Sequence, residues 1–260
     1  MTDSLASVRA VLLDLDGVLY VEDEPISGAR DAVSRLRAQG LALRFVTNTT
    51  ARSRPHTLDK LRALGFEVGE DELVTPAALA VAHCEEREHT RVSLLMTDEV
   101  KGDFAEIDED EEHPQAVIVG DLGERFDYGV LNAAFRHVLA GAELIALQRN
   151  RYWRRADGLS LDVGPFVAAL EYATARDAYV VGKPASGFFA GVLAGLDTAP
   201  HDALMVGDDI ESDVGGALDA GLAAVLVRAG KYEAEAVRTS GVEPSATIDS
   251  IADLPDMLGA

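Results

Sequence analysis

Short apolar runs and longer segments of helical spacing alternate along most of this chain. The runs Ala10–Leu15, Leu41–Thr47, Val92–Met96, Ala116–Val119, Leu144–Leu147, Ala178–Val181, Ala203–Val206 and Ala223–Val227 read as strands. Between them, Ala29–Gln39 places Ala29, Val33 and Leu36 on one face and meets Gly40 just past its end, the pattern of a helix and its stop. Arg54–Leu64 likewise runs into Gly65, and Val130–Ala140, Gly164–Thr174 and Pro184–Ala194 share the helical spacing. This alternation predicts an α/β fold, a doubly wound, Rossmann-like parallel sheet covered by helices. The acid-rich stretch Asp103–Pro114, DFAEIDEDEEHP, breaks the rhythm and reads as a solvated loop or an excursion at a sheet edge. The middle third, 77–179, carries strands and helices of its own. It is expected to be a smaller α/β domain inserted into a core formed by 1–76 and 180–260.

The first run ends in an electrostatic difficulty. Val11–Tyr20 reads VLLDLDGVLY, so an apolar strand delivers Asp14 and Asp16 side by side with no cation near them in sequence. Burying unpaired anions costs several kcal/mol, so positive charge has to arrive from elsewhere. In parallel α/β sheets, ligands bind outside the carboxyl ends of the strands. Three other strand ends carry polar residues of a matching kind. LALRFVTN ends in Thr47 and Asn48, AYVVGKP in Lys183, and ALMVGDDIESD in Asp208 and Asp209, with Asp213 further on. Three carboxylates at two strand ends suit a Mg²⁺ ion, which takes oxygen ligands. A hydroxyl, a backbone amide and an ammonium suit the oxygens of a phosphoryl group. Taken singly, each feature has a plainer reading: DxDG and Thr-Asn as turns, Lys183 as a surface lysine, Asp208-Asp209 as a helix cap. It is the set, in this order and each after an apolar run, that points to chemistry.

DLDG, TN, GKP and GDD…D in this order resemble the four motifs of the haloacid dehalogenase superfamily. The flanking residues, DLDGVLY…PISGA…LRAQG…FVTNTT…SR…KLRALGF and RADGLSLDVGPFVAALEYATARDAYVVGKPASGFF, are similar to its subgroup with a large α/β cap, the 4-nitrophenyl phosphatase-like enzymes. The likeness covers essentially residues 8–250. It implies a Mg²⁺-dependent phosphohydrolase acting on a small phosphorylated metabolite through an aspartyl-phosphate. Asp14 would be the nucleophile and Asp16 the general acid and base. Asp14, the main-chain carbonyl of Asp16 and Asp208 would bind the metal, while Asp213 and Asp209 would orient its waters. Thr47, the Asn48 amide, the Gly17 amide and Lys183 would hold the phosphoryl group, and a homodimer is implied.

Departures from that pattern concern the inserted domain. Where the capped phosphatases show N-P-D and P-G-x-G, this chain has Gln148-Arg149-Asn150 and Leu161-Asp162-Val163-Gly164. Substrate specificity is therefore not carried over. Gln148–Gly158, QRNRYWRRADG, reads either as a substrate loop bearing Arg149, Arg151, Tyr152, Trp153, Arg154 and Arg155, or as a solvated hairpin whose arginines pair with acids. Arg54 is either a site residue or a helix-start surface arginine. His113, His137 and His201 lack ligand spacing.

Composition adds three constraints. With 45 Asp and Glu against 23 Lys and Arg, the formal charge is −22, which disfavours nucleic acid as a partner. Self-repulsion of that size is relieved at about 1 M salt, where the Debye length is roughly 3 Å, and a salt-rich cytoplasm is the expectation, with an ordinary acidic protein as the alternative reading. With 48% hydrophobic residues the chain can bury a sizeable core. No run approaches the roughly 18 apolar residues of a membrane span, no secretory signal is visible, and the single Cys84 reads as an inert helix residue, so a cytoplasmic protein is predicted.

Rival readings keep part of this pattern. A phosphoramidase or inorganic pyrophosphatase would use the same site. A dehalogenase would not need Asp16. A receiver-like signalling module also gathers acids, a Thr and a Lys around Mg²⁺, but is about half this length and phosphorylates an aspartate on a later strand. A silent phosphate-binding protein would not need both Asp14 and Asp16.

Overall fold

The computed structural model describes residues 5, 7–155 and 158–259, without the side chains of Arg154 and Arg155. It divides into two compact units, one of 1–47, 58–74 and 183–260, the other of 48–57 and 75–182. Residues 48–57, which the sequence reading assigns to the core, thus pack with the second unit.

The first unit is built on a six-stranded sheet in which every pair is parallel. Its order is Ala246–Ile248, Ala223–Val227, Ala203–Gly207, Ala10–Asp14, Ala42–Val46, Leu73–Val74. From Ala10–Asp14 the chain first adds strands to one side and, after the second unit, to the other. The order therefore reverses between Ala10–Asp14 and Ala203–Gly207, the kind of crevice where α/β sheets bind ligands. The central strands are buried at every residue, which is why they read as near-continuous apolar runs, with Asp14 the one charged residue among them. Val11, Leu13 and Phe45 pack with Val33 and Leu36 of helix Ala29–Ala38 and with Leu61. Leu36 and Leu61 are fully buried, each contributing roughly 1.5–3 kcal/mol.

The second unit has a five-stranded parallel sheet, ordered Tyr179–Val180, Glu143–Ala146, Ala116–Val119, Arg91–Leu95, Asp108–Glu109. Alternate side chains serve opposite faces. Val117 and Val119 pack with helices Tyr128–Ala140 and Val163–Thr174 through Ala134, Val138, Val167 and Leu170. Ala116 and Ile118 pack with Ala77, Ala80 and Cys84 of helix Pro76–Glu86. Burial pushes the Cys84 thiol up to about 11, so it is inert, as the sequence suggests.

Two expectations are sharpened. The acid-rich stretch includes an edge strand, Asp108–Glu109, paired with Arg91–Val92. The run before Lys183 belongs to the second sheet and does not neighbour Ala10–Asp14. An apolar run marks a strand but carries no information about which sheet receives it.

Candidate active site

Asp14 ends the central strand of the first unit, and Thr47 and Asp208 follow the strands on either side of it. All three side chains are buried. Lys183 arrives from the chain returning from the second unit and is 2% exposed. Its Nζ lies 2.5 Å from Asp14 Oδ1 and 2.6 Å from Asp213 Oδ1. This is the cation that the sequence around Asp14 lacks. With two carboxylates against it, Lys183 is held protonated far above the ordinary lysine value despite its burial.

Asp208 completes the cluster. One oxygen from each of Asp14, Asp208 and Asp213 lies within 4.8 Å of the others, a grouping with no second example among the described residues. Three buried carboxylates, with one ammonium paired to two of them, leave an excess of negative charge. Asp208 responds by shifting up to about 7, chiefly through burial and then through Asp14 and Asp213. Asp213 is raised as well, again by burial first. Asp208 Oδ2 accepts the Lys231 amide at 2.7 Å, but Asp208 Oδ1 is buried with no partner. An orphaned anionic oxygen, two further carboxylates and excess charge fit a divalent cation with oxygen ligands. Both Asp213 oxygens are otherwise engaged, Oδ1 facing Lys183 and Oδ2 accepting the Asp209 amide at 3.1 Å.

The loop after Asp14 is shaped for close approach. The Leu15 carbonyl accepts the amides of Val18, Leu19 and Tyr20, and the Gly17 amide donates to the Tyr20 carbonyl at 2.8 Å. Gly17 sits at φ +77°, and a Cβ there would lie 2.0 Å from Asp208 Oδ2. A Cβ on Gly230 would meet the same oxygen at 2.0 Å and Gly17 Cα at 2.6 Å. Asp208 is thus clasped between two residues that need to be glycine. Gly17→Ala is expected to cost about 2–5 kcal/mol, from the left-handed backbone and the overpacking together, read as a shift in the urea midpoint.

Asp16 turns outward. Its carboxyl is exposed, lies outside the buried trio, and is raised by partial desolvation against the opposing pull of Lys60 and Lys231. Asp209 caps the π-helical turn Ile210–Gly215, its Oδ1 accepting the amides of Glu211 and Ser212 at 3.0 and 2.9 Å. That places its side chain on backbone. Asn48 is half-buried and packs within the second unit against Gly182.

Within the stretch 148–161, strand Tyr152–Arg155 pairs antiparallel with Gly158–Leu161. Arg149 is exposed and pairs with Glu171 at 2.8 Å, and Arg151, Tyr152 and Trp153 are exposed. Arg154 and Arg155 as side chains, and residues 156–157, lie outside the described residues. Gln148 donates to Asp162 Oδ1 at 2.5 Å, and Asp162 caps helix Val163–Thr174, so these departures from the family pattern form a bonded pair. Arg54 belongs to the second unit, where its amide donates to Asp103 Oδ2 at 2.9 Å. His113 and His201 are exposed and His137 is half-buried. Sequence reasoning missed Gly230 and Lys231, which reach Asp208 from beyond the strand Ala223–Val227, and Lys60. The scarcity of lysine was the available signal.

Raised carboxylates link stability to pH. Asp208 and Asp213 bind protons in the folded state at pH values where the unfolded chain has released them. Stability of the metal-free protein therefore falls as pH rises from about 5 through 7, by roughly 2–3 kcal/mol for Asp208. A divalent cation displaces those protons, so its stabilising effect is expected to be largest at the upper end of the window. Thermal melts with EDTA and with Mg²⁺ from pH 5 to 8 measure both slopes.

Known proteins match throughout. The family model described as haloacid dehalogenase-like hydrolase covers residues 11–109, and a second, HAD-hydrolase-like, covers 180–254. "Haloacid dehalogenase-like hydrolase domain-containing protein 2" of Homo sapiens is 45% identical over 244 residues, 94% of this chain and 93% of that one. "Phospholysine phosphohistidine inorganic pyrophosphate phosphatase" of Danio rerio is 41% identical over 261 residues, 98% and 95% of the two chains. Among solved structures, p-nitrophenyl phosphatase from Archaeoglobus fulgidus superposes with a TM-score of 0.90 at 27% identity, covering 96% of this chain and 99% of its own. With the motif order, the doubly wound sheet and these relatives in agreement, the chain belongs to the haloacid dehalogenase-like hydrolases and is an enzyme of their phosphatase kind.

Proposed function

We propose that this protein is a Mg²⁺-dependent phosphatase of a small phosphorylated metabolite, working through a phosphoryl group carried on Asp14. The observation that supports it most is the placement of Lys183 between Asp14 and Asp213 beside the orphaned Asp208 oxygen. Asp14 and Asp208, with the main-chain carbonyl of Asp16, would hold the metal, and Asp213 would orient its waters. Mg²⁺ there would offset the excess carboxylate charge and draw electron density from a phosphoryl oxygen.

The chain's own residues account for the rest. An Asp14 oxygen forms a bond to phosphorus as the bond from phosphorus to the leaving oxygen breaks. Asp16, protonated for this step, gives its proton to the leaving oxygen. It then takes a proton from the water that attacks phosphorus, and the Asp14 carboxylate is released with inorganic phosphate. Lys183 and the Thr47 hydroxyl, with the Asn48 amide, hold the non-bridging oxygens, where fixed positive charge favours the transition state, while the Gly17 amide is committed to the Tyr20 carbonyl. The second unit is the candidate cap domain, with Arg149, Arg151, Tyr152 and Trp153 the candidate substrate loop.

The name of the 41% identical relative keeps P–N and pyrophosphate bonds as alternative targets of the same chemistry. The direct test is hydrolysis of 4-nitrophenyl phosphate with Mg²⁺ in molar KCl. Turnover that EDTA abolishes and Mg²⁺ restores is expected. A folded, metal-loaded protein inactive on esters, phosphoramidate and pyrophosphate would overturn the reading.

A further inference from the structure

Three of the four lysines in the chain, Lys60, Lys183 and Lys231, belong to the first unit and gather at the same strand ends. Lys183 is committed to the buried carboxylates. The ammonium groups of the other two are not paired with those carboxylates, although Lys231 feels Asp14 and Asp213 through space. Lys60, on helix Arg54–Ala63, sets its ammonium 4.4 Å from the centre of the Tyr20 ring and 3.2 Å from Asp23 Oδ1. Tyr20 bridges back to Asp16 and begins the small hairpin that carries Asp23. Lys231 follows Gly230, which packs on Gly17, and its Nζ lies 3.9 Å from Asp209 Oδ2. Two ammonium groups from separate elements thus flank the loop Asp16-Gly17, and both act through space on the Asp16 carboxylate.

Their present partners hold them loosely. Asp23 is 94% exposed, so its pair with Lys60 is a solvent-screened contact worth little. Asp209 meets Lys231 at the limit of ion-pair range, with its other oxygen engaged by two amides. Both lysines remain within reach of solvent, Lys231 with a side chain 61% exposed. In the mechanism above, the leaving oxygen takes its proton from Asp16, so the remainder of the leaving group lies beside that carboxyl. A molecule with a formal charge of −22 repels anions except where cations are concentrated.

We propose that Lys60 and Lys231 form a subsite for a negative charge on the leaving group, so that the favoured substrate carries a second anionic group, carboxylate or phosphoryl, besides the phosphoryl transferred. This rests on the roles given to Asp14 and Asp16. If the lysines only pin the hairpin and the Asp209 turn, their removal affects charged and neutral ligands alike.

The test uses inert phosphonates, so that binding is read without turnover. With Mg²⁺ present, calorimetry compares ethylphosphonate, 3-phosphonopropionate and propane-1,3-diphosphonate. The wild type is expected to bind one or both charged compounds at least about tenfold more tightly than ethylphosphonate. That preference should collapse towards unity in Lys60→Met/Lys231→Met and survive in Lys60→Arg/Lys231→Arg. Which charged compound wins separates a carboxylate from a phosphoryl. Equal binding of all three by the wild type, or a preference that the double methionine variant keeps, overturns the subsite while leaving the phosphatase reading intact. Failure to bind any of the three counts against both.

Discussion

Asp14→Asn is expected to lower kcat on 4-nitrophenyl phosphate by at least about 10⁴-fold while leaving the fold in place. The change removes the nucleophilic charge at the end of the central strand but keeps the shape of the side chain. No other carboxylate can stand in. Asp208 and Asp213 are buried on the neighbouring strand end and its helical turn, and Asp16 faces outward. Lys183 keeps Asp213 as its counter-ion, so the buried cluster loses one anion of three and not its only cation. The melting temperature of the metal-free variant should therefore equal or exceed that of the wild type. A variant that is both inactive and unfolded would leave the activity loss uninformative, so circular dichroism accompanies the assay.

Lys183→Met should produce the second large effect, and it should appear in stability as well as in rate. Replacing the ammonium with an apolar chain of similar length leaves Asp14, Asp208 and Asp213 within 4.8 Å of one another without the cation that joins two of them. Removing one partner of a buried pair typically costs about 3–5 kcal/mol. Activity should fall at least about 10³-fold, because the same ammonium holds the transferring phosphoryl oxygens. Adding Mg²⁺ should recover part of the stability and little of the rate. Lys183→Met/Asp213→Asn should be more stable than Lys183→Met, since it removes one uncompensated charge, and remain inactive. Urea titrations of the three proteins with EDTA and with Mg²⁺ measure these differences.

Much of the fold was legible because its central strands are buried on both faces. Ala10–Leu15, interrupted only by Asp14, and the unbroken Ala203–Val206 and Ala223–Val227 read as apolar runs, and the structure places strands there with ends moved by at most a residue. Edge elements were not legible. Leu73–Val74 and Asp108–Glu109 are two residues long, too short for any period, and the second is wholly acidic. Helix Pro76–Glu86 carried a local signal, Thr75 as cap and Pro76 in the first turn, but small residues blur its face. The site divides in the same way. Asp14, Thr47 and Asp208 stand at the ends of apolar runs, where a strand necessarily delivers them. Asp209, expected to orient the metal's waters, sets one carboxylate oxygen on the amides of the helical turn that leads to Asp213. Tyr20, Lys60 and Lys231 come to the site through loops and a helix flank, and only packing brings such residues together.

The central claim is that Asp14 itself carries the phosphoryl group, and rapid acid quench of the working enzyme tests it most directly. Wild-type protein is mixed with a phosphate ester and Mg²⁺, quenched within a turnover, digested and read by mass spectrometry. One added phosphoryl group is expected on the peptide containing Asp14, absent when Mg²⁺ is omitted and absent in Asp14→Asn. Turnover with that peptide unmodified at every quench time, or the phosphoryl group found on another residue, would contradict it.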